Sequence, residues 1–190
     1  TWPYDPEAVP TMSRMVDGTW RTDTDMLVTE DGAFERDETT FRDWIFEDPD
    51  ARFRPEPGRY HLYISRACPW AHRVALVRKL MGLEDVISMD VVDPYRRDQG
   101  WEFAPEKDGC TADSVFGAEY LREIYAEADP EYTGRVTVPV LWDRERETIV
   151  NNESGELMRM LPEAFGEYAT RDVDLYPDPL RDQIDDVVSA

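Results

Sequence analysis

The chain has 190 residues, of which 42 are Asp or Glu and 21 are Lys or Arg, so its formal net charge is −21. This length supports one hydrophobic core with extensions, and so acidic a surface excludes nucleic acid as a partner because phosphate binding needs clustered cations. Two cysteines are too few for a disulfide framework. The sequence shows neither a signal-peptide pattern nor an apolar run long enough to span a bilayer, so we expect a cytoplasmic protein with no membrane partner.

The basic residues are almost all arginines, since the only lysines are Lys79 and Lys107. An acidic, lysine-poor surface spread over a whole chain is typical of proteins that work at high salt, where self-repulsion is screened. A specific acidic interaction tail would show as a block of like charge, and the sequence has none. We therefore expect a halophile-type protein, with an ordinary acidic cytosolic protein as the alternative.

Residues 1–58 are rich in Pro, Asp and Arg and show no sustained hydrophobic period. They are also rich in aromatic residues, which disordered segments usually lack. These aromatic residues are Trp2, Tyr4, Trp20, Phe34, Phe41, Trp44 and Phe46. We predict an irregular N-terminal extension that packs on the domain behind it.

The central feature of the sequence is a cysteine between a strand and a helix. Residues 60–65 have the β-branched and aromatic content of a short buried strand, and residues 70–81 carry apolar side chains at helical spacing until Gly82. Cys68 lies between the two, and Pro69 suits the first helical turn, where its missing N–H costs nothing.

This position favours a reactive thiol. The first N–H groups of a helix have no intrahelical partner and stabilise a negative charge, and the thiolate is the nucleophilic form of cysteine. Arg66, His72 and Arg73 are near enough in the sequence to add positive potential. The alternative is a structural cysteine buried at a strand end.

The segments that follow predict further strands and helices. Residues 86–92 read as a second strand, parallel to the first because a helix connects them. A long polar loop over residues 93–111 contains Trp101, and such a loop is either functional or an insertion that buries Trp101 for stability. The pattern then predicts a helix over 115–128, a strand over 135–142, a charged turn, a strand over 148–150 and a helix from 151–154 onwards.

The order β-α-β-α-β-β-α is that of a thioredoxin-like fold, in the α/β class. After Pro162 the chain becomes polar and leads into a further helix near Pro179. We therefore divide the chain into an extension over 1–58, a thioredoxin-like domain over 59–165, and a linker with the first helix of an all-helical domain over 166–190.

Two further parts of the sequence are candidates for ligand binding. In a thioredoxin-like arrangement Pro139 would follow a cis peptide bond and face Cys68 across a groove, which leaves the Val138 backbone free to pair with a peptide-like ligand. The alternative is a trans proline at the start of an edge strand. Glu153 and Ser154 stand at a helix start, where a hydroxyl and free N–H groups hold a carboxylate and the acidic side chain suits an α-amino group. There the alternative is a simple cap made by Ser154 or Asn152.

The residues as a whole resemble the glutathionyl-hydroquinone reductases, also called Xi-class glutathione transferases. The resemblance is carried by Cys68-Pro69-Trp70-Ala71 and by segments 31–34, 40–44, 60–73, 100–101, 128–130, 137–142, 152–154 and 174–177. It implies that Cys68 is the catalytic thiol and that a glutathione-type thiol is bound by Pro69, Trp70, Trp101, Arg135, Val138, Pro139, Glu153 and Ser154.

The resemblance also implies a mechanism. Cys68 attacks the thioether sulfur of a glutathionyl-hydroquinone, the hydroquinone leaves, and a second thiol resolves the mixed disulfide. Ala71 stands where a dithiol oxidoreductase keeps its resolving cysteine, so we expect the resolving thiol to come from solution. Glutathione or γ-glutamylcysteine would serve as co-substrate, with no metal, and the full-length protein would be a homodimer.

The chain departs from the family pattern in one respect, because only the first helix of the all-helical C-terminal domain is present. We therefore expect a longer natural protein. Two alternative functions stay open, namely an Omega-like monothiol transferase or dehydroascorbate reductase, and a non-catalytic thioredoxin-like binding module. A disulfide switch between Cys68 and Cys110 is a further hypothesis.

Overall fold

The computed structural model describes residues 11–25 and 39–189 of the chain. Its strands are β1 (Thr11–Val16), β2 (Thr19–Asp25), β3 (Tyr60–Ser65), β4 (Ser88–Val92), β5 (Val140–Asp143) and β6 (Thr148–Asn151). Its helices are α1 (Pro69–Met81), α2 (Leu121–Ala128), α3 (Ser154–Phe165) and α4 (Arg181–Ser189).

The predicted β-α-β-α-β-β-α order is confirmed from β3 to α3, and it builds one mixed sheet. The strands lie in the order β4-β3-β5-β6, with β4 parallel to β3 and with β5 and β6 antiparallel to their neighbours. The helix between β3 and β4 makes them parallel, as the sequence predicts. The short charged turn between β5 and β6 makes those two strands antiparallel.

The core fixes both sides of the junction that contains Cys68. Every residue of β3 is buried, and α1 packs against α3 with its buried side chains at helical spacing, from Ala71 to Met81. Gly82 then ends α1 in the left-handed conformation, with φ 70°, a state that favours glycine. A buried strand and a packed helix therefore hold the cysteine between them.

The prediction of an irregular extension is wrong for residues 11–25, which form an antiparallel β-hairpin. Asp17 and Gly18 at its turn have φ values of 47° and 71°, and a two-residue type I′ turn requires positive φ at both positions. Residues 39–58 are largely irregular, as predicted. The rest of the extension, with Trp2, Tyr4 and Phe34, lies outside the described residues.

The helix predicted over residues 115–128 begins only at Leu121. The carboxylate of Asp113 accepts the backbone N–H groups of Val115, Phe116 and Ala118, each at 3.0 Å. Within the same segment Gly117 has a φ of 72°, a left-handed conformation that a right-handed helix does not contain. The segment therefore forms a turn around Asp113.

The strand predicted over residues 135–142 begins only at Val140. In the residues just before this strand, two backbone carbonyl oxygens accept hydrogen bonds from tyrosine hydroxyls instead of from a neighbouring strand. Tyr132 donates to Arg135 O at 2.9 Å, and Tyr125 donates to Thr137 O at 3.0 Å. Pro139 has no N–H to offer a neighbouring strand. Residues 135–139 therefore form an irregular segment that leads into the sheet.

Within the described ranges, no helix combines the length and the apolar character needed to cross a bilayer.

Candidate functional site

The thiol of Cys68 lies at the start of α1. Cys68 has extended backbone angles (φ −93°, ψ 112°) as the residue before the helix, and Pro69 takes the first helical position. The next backbone N–H groups belong to Trp70 and Ala71, and the first turn of this fully described helix has no acidic residue. These N–H groups carry the positive end of the helix dipole and favour a thiolate beside them.

Val138 lies directly opposite the thiol. The Sγ of Cys68 donates to the Val138 carbonyl oxygen at 3.6 Å, and the Val138–Pro139 peptide bond is cis, as the sequence predicts. Cys68 is half-buried, whereas Val138 and Pro139 are buried. The start of α1 and the segment before β5 therefore form two walls of one groove.

A cleft of about 410 Å³ extends along this groove. Among its walls are six residues that the sequence predicts, namely Trp70, Arg135, Val138, Pro139, Glu153 and Ser154. The cleft is also lined by five residues that are not among the predicted binding residues, namely Thr39, Arg42, Arg73, Thr137 and Asn152. Cys68, Pro69 and Trp101 are not among the described residues that line the cleft, although the Cys68 thiol contacts the wall residue Val138.

The N-terminus of α3 provides a place for a carboxylate. Glu153 caps the helix, because its side chain accepts the Gly155 N–H at 3.2 Å. The alternative in which Ser154 or Asn152 makes the cap is therefore wrong. Ser154 is instead the first helical residue, and its Oγ accepts from Arg73 Nε at 3.2 Å and from Arg73 Nη2 at 2.6 Å. Its own hydroxyl proton is left to donate towards a ligand.

The cleft is cationic within a strongly acidic chain. Arg42, Arg73 and Arg135 line it, with Glu153 as the acidic residue among the walls. Arg42 forms an ion pair with Glu156, which lies in the first turn of α3. Burial raises the pKa of Glu156, but hydrogen bonds from Arg42 and Asn151 bring it below the usual value. Such a cleft suits an anionic ligand that also carries one cationic group.

The cleft wall contains a buried acceptor that has no hydrogen-bond partner within the described part of the chain. This acceptor is Asn152 Oδ1, whose side-chain nitrogen donates to the Tyr125 hydroxyl at 3.1 Å. Buried polar groups are usually paired, so this oxygen is available for a ligand. Trp101 Nε1 is also buried without a partner in the described ranges, but Trp101 does not line the cleft.

Sequence reasoning missed the role of Arg73 and the contribution of the extension. The sequence suggests Arg73 only as a source of positive potential at the sulfur, whereas its guanidinium contacts Ser154 and lies 4.7 Å from the centre of the Trp70 ring. Helical spacing could have placed Arg73 one turn beyond Trp70. Thr39 and Arg42 belong to an irregular segment, and no local signal in the sequence points to them.

No cluster of His, Cys, Asp or Glu side chains that could hold a metal ion occurs in the ranges 11–25 and 39–189.

Comparison with known proteins identifies relatives over nearly the whole chain. Residues 67–164 match the family model described as glutathione S-transferase, N-terminal domain. The chain is 46% identical over 174 residues to the glutathionyl-hydroquinone reductase PcpF of Sphingobium chlorophenolicum, which covers 92% of this chain and 54% of that protein.

Solved structures agree with this match. A Xi-class glutathione transferase from Natrialba magadii superposes with a TM-score of 0.86 at 56% identity, covering 94% of this chain and 53% of that one. The glutathione-bound structure of YqjG from Escherichia coli superposes with a TM-score of 0.78 at 41% identity, covering 93% and 53%. The chain thus spans about half the length of the relatives it matches.

Proposed function

This chain belongs to the glutathione S-transferase family, and we propose that the protein reduces glutathionyl-hydroquinones, with Cys68 as its catalytic thiol. One observation carries this proposal. Val138 and the α3 N-terminus with Glu153 and Ser154 line a single cleft, and the Cys68 thiol contacts the Val138 carbonyl beside it.

The γ-glutamyl end of the tripeptide suits the α3 end of the cleft. Its carboxylate would accept from the Ser154 hydroxyl, from Arg73 and from the free N–H groups of the first helical turn. Its ammonium group would donate to the Glu153 carboxylate and to the orphaned Oδ1 of Asn152. A carboxylate and an ammonium on one carbon thus find opposite charges side by side.

The cysteinyl part suits the middle of the cleft, where its backbone would pair with Val138. This pairing brings the ligand sulfur towards Cys68, whose Sγ lies 3.6 Å from the Val138 carbonyl oxygen. The glycine end of the tripeptide would reach towards Arg135 and towards Nε1 of Trp101, which has no hydrogen-bond partner among the described residues. Because the γ-glutamyl contacts do not involve the glycine, either glutathione or γ-glutamylcysteine would serve as co-substrate.

The chemistry takes place at two sulfur atoms. The Cys68 thiolate attacks the thioether sulfur, so that a Cys68–glutathione disulfide forms while the bond from sulfur to the ring carbon breaks. The electron pair of that bond stays with the ring carbon, which takes up a proton, and the hydroquinone leaves. The Cys68 sulfur and the glutathionyl sulfur are each oxidised by one electron, and the ring carbon is reduced by two.

A second thiol restores the enzyme. Its thiolate attacks the glutathionyl sulfur of the mixed disulfide, which releases glutathione disulfide and the Cys68 thiolate. Ala71 lies one helical turn from Cys68 and offers no thiol, so the attacking thiol comes from solution. Dimerisation of the full-length protein and its adaptation to high salt stay predictions.

A comparison of substrates tests this function against the Omega-like alternative. We expect kcat/KM for a glutathionyl-hydroquinone to exceed that for a small glutathione mixed disulfide or for dehydroascorbate by at least about tenfold. Hydroquinone release and glutathione disulfide formation, followed by chromatography at matched thiol concentration, provide the rates. Faster turnover of the mixed disulfide or of dehydroascorbate would favour the Omega-like function instead.

A further inference from the structure

We propose that the β1–β2 hairpin is a clamp that holds two ligand-binding loops in place, with Trp20 as its positioning residue. The first loop covers residues 96–101 and ends at Trp101, and the second covers residues 130–135 and ends at Arg135. The inference rests on the proposed function because it assigns Trp101 and Arg135 to the binding of a glutathione-type thiol.

The hairpin contacts the first loop through Trp20. The indole Nε1 of Trp20 donates to the Asp98 carbonyl oxygen at 2.9 Å, and its ring lies so close to Gly100 that an added Cβ there would come within 3.1 Å of it. Arg96 Nη2 also donates to Ser13 O, at 3.0 Å. The residue before Trp101 therefore packs directly against the Trp20 ring.

Arg122 also contacts Trp20. Its guanidinium lies 5.5 Å from the centre of the Trp20 ring and 4.0 Å from the centre of the Tyr120 ring. The same guanidinium donates to the carbonyl oxygen of Gln99, within the first loop. Trp20 and Arg122 thus hold the loop from both the hairpin and α2.

The hairpin contacts the second loop through backbone hydrogen bonds. Met15 N donates to Gly134 O at 2.9 Å, and Gly134 N donates to Met15 O at 3.1 Å. At the turn, Gly18 N donates to Tyr132 O at 3.1 Å, and Asp17 N donates to Thr133 Oγ1 at 2.8 Å. An added Cβ at Gly18 would lie only 1.9 Å from Pro130 O. The second loop is thus paired with β1 and packed against the turn.

The register of the hairpin links these two sets of contacts. Met15 and Trp20 are direct partners across β1 and β2, so one rung of the hairpin holds both Gly134 and Gly100. Each of these glycines directly precedes a residue assigned to the ligand, Arg135 and Trp101 respectively. Two loops that are distant in sequence therefore share one rigid support.

The clamp should matter for binding rather than for the chemical step. Loops that are free before binding must be ordered by the ligand, which weakens its affinity. Cys68 lies in neither loop, and its thiol contacts Val138. We therefore expect loss of the clamp to raise KM for the thiol while kcat changes little.

The experiment compares Trp20→Ala with the wild type in the full-length natural protein. Phe46→Ala serves as a matched control, because Phe46 is an exposed aromatic residue of the same extension that stacks on Trp44 instead of on either loop. Trp20→Phe removes the Nε1–H donor and replaces the indole by a smaller apolar ring. This variant tests the proposal in case Trp20→Ala misfolds. The readouts are the Kd for glutathione, KM and kcat, and backbone hydrogen exchange over the two loops, residues 96–101 and 130–135.

We expect Trp20→Ala to weaken glutathione binding and raise KM by about tenfold, with kcat within about twofold, and to speed exchange in both loops. Trp20→Phe should give an intermediate effect, and Phe46→Ala should match the wild type. Unchanged affinity and unchanged exchange in both Trp20 variants would overturn the clamp. If the wild type binds no γ-glutamyl thiol, the proposed function fails, and the exchange data alone then decide whether Trp20 holds the loops.

Discussion

Replacement of Cys68 by Ser is expected to lower kcat/KM for a glutathionyl-hydroquinone by at least about a thousandfold. The hydroxyl of the variant fits the same position at the start of α1, but it is far less acidic and less nucleophilic than a thiol. The Sγ of Cys68 faces Val138 across the groove, where the proposal places the ligand sulfur, so this thiol is the expected nucleophile. The rate of hydroquinone release, followed by chromatography, provides the measurement.

Cys110 provides the matched control, because it is the other cysteine of the chain and is also free and half-buried. It lies in the long loop after β4, where burial and the nearby Asp93 carboxylate raise the pKa of its thiol. We expect Cys110→Ser to retain activity within about twofold. Equal turnover by Cys68→Ser and the wild type would contradict the mechanism, and loss of activity in Cys110→Ser would indicate a Cys68–Cys110 disulfide switch.

The variant Glu153→Gln is expected to raise KM for glutathione by about ten- to a hundredfold, with little change in kcat. The amide of Gln still accepts the Gly155 N–H that caps α3, so the helix start is retained. Only the negative charge that faces the ligand ammonium is lost. The expected effect corresponds to the loss of one charge-assisted hydrogen bond.

A control variant and an altered ligand make this test specific. Glu163→Gln changes the same residue type on an exposed part of α3, and we expect it to leave KM unchanged. A glutathione analogue without the α-amino group should bind wild type and Glu153→Gln alike, because the partner of the carboxylate is already missing. If Glu153→Gln weakens the analogue as strongly as glutathione, Glu153 acts through the fold and not through the ammonium.

Local patterns in the sequence were enough to predict the sheet, α1 and the position of Cys68. Burial along β3 and the helical spacing after Pro69 are properties of neighbouring residues, and Gly82 marks the end of α1 directly. The same holds for Glu153 and Ser154, whose place at a helix start follows from their position before an apolar helical pattern. Such features need no information about distant contacts.

Features that depend on distant contacts could not be predicted in this way. The turn around Asp113 and the late start of β5 arise from side chains that bind backbone groups, and propensity does not show them. Arg73 faces Ser154 only because α1 packs against α3. The hairpin is different, since Asp17-Gly18 is a local turn signal that the mixed composition of the extension obscured.

The mass of the protein after single turnover tests the central claim most directly. The protein is incubated with a glutathionyl-hydroquinone in the absence of any second thiol, then digested and analysed by mass spectrometry. We predict one glutathionyl group in disulfide linkage on the peptide that contains Cys68, formed together with one equivalent of hydroquinone and released by added glutathione. Hydroquinone release without an adduct on Cys68, or an adduct on Cys110 alone, would contradict the role assigned to Cys68.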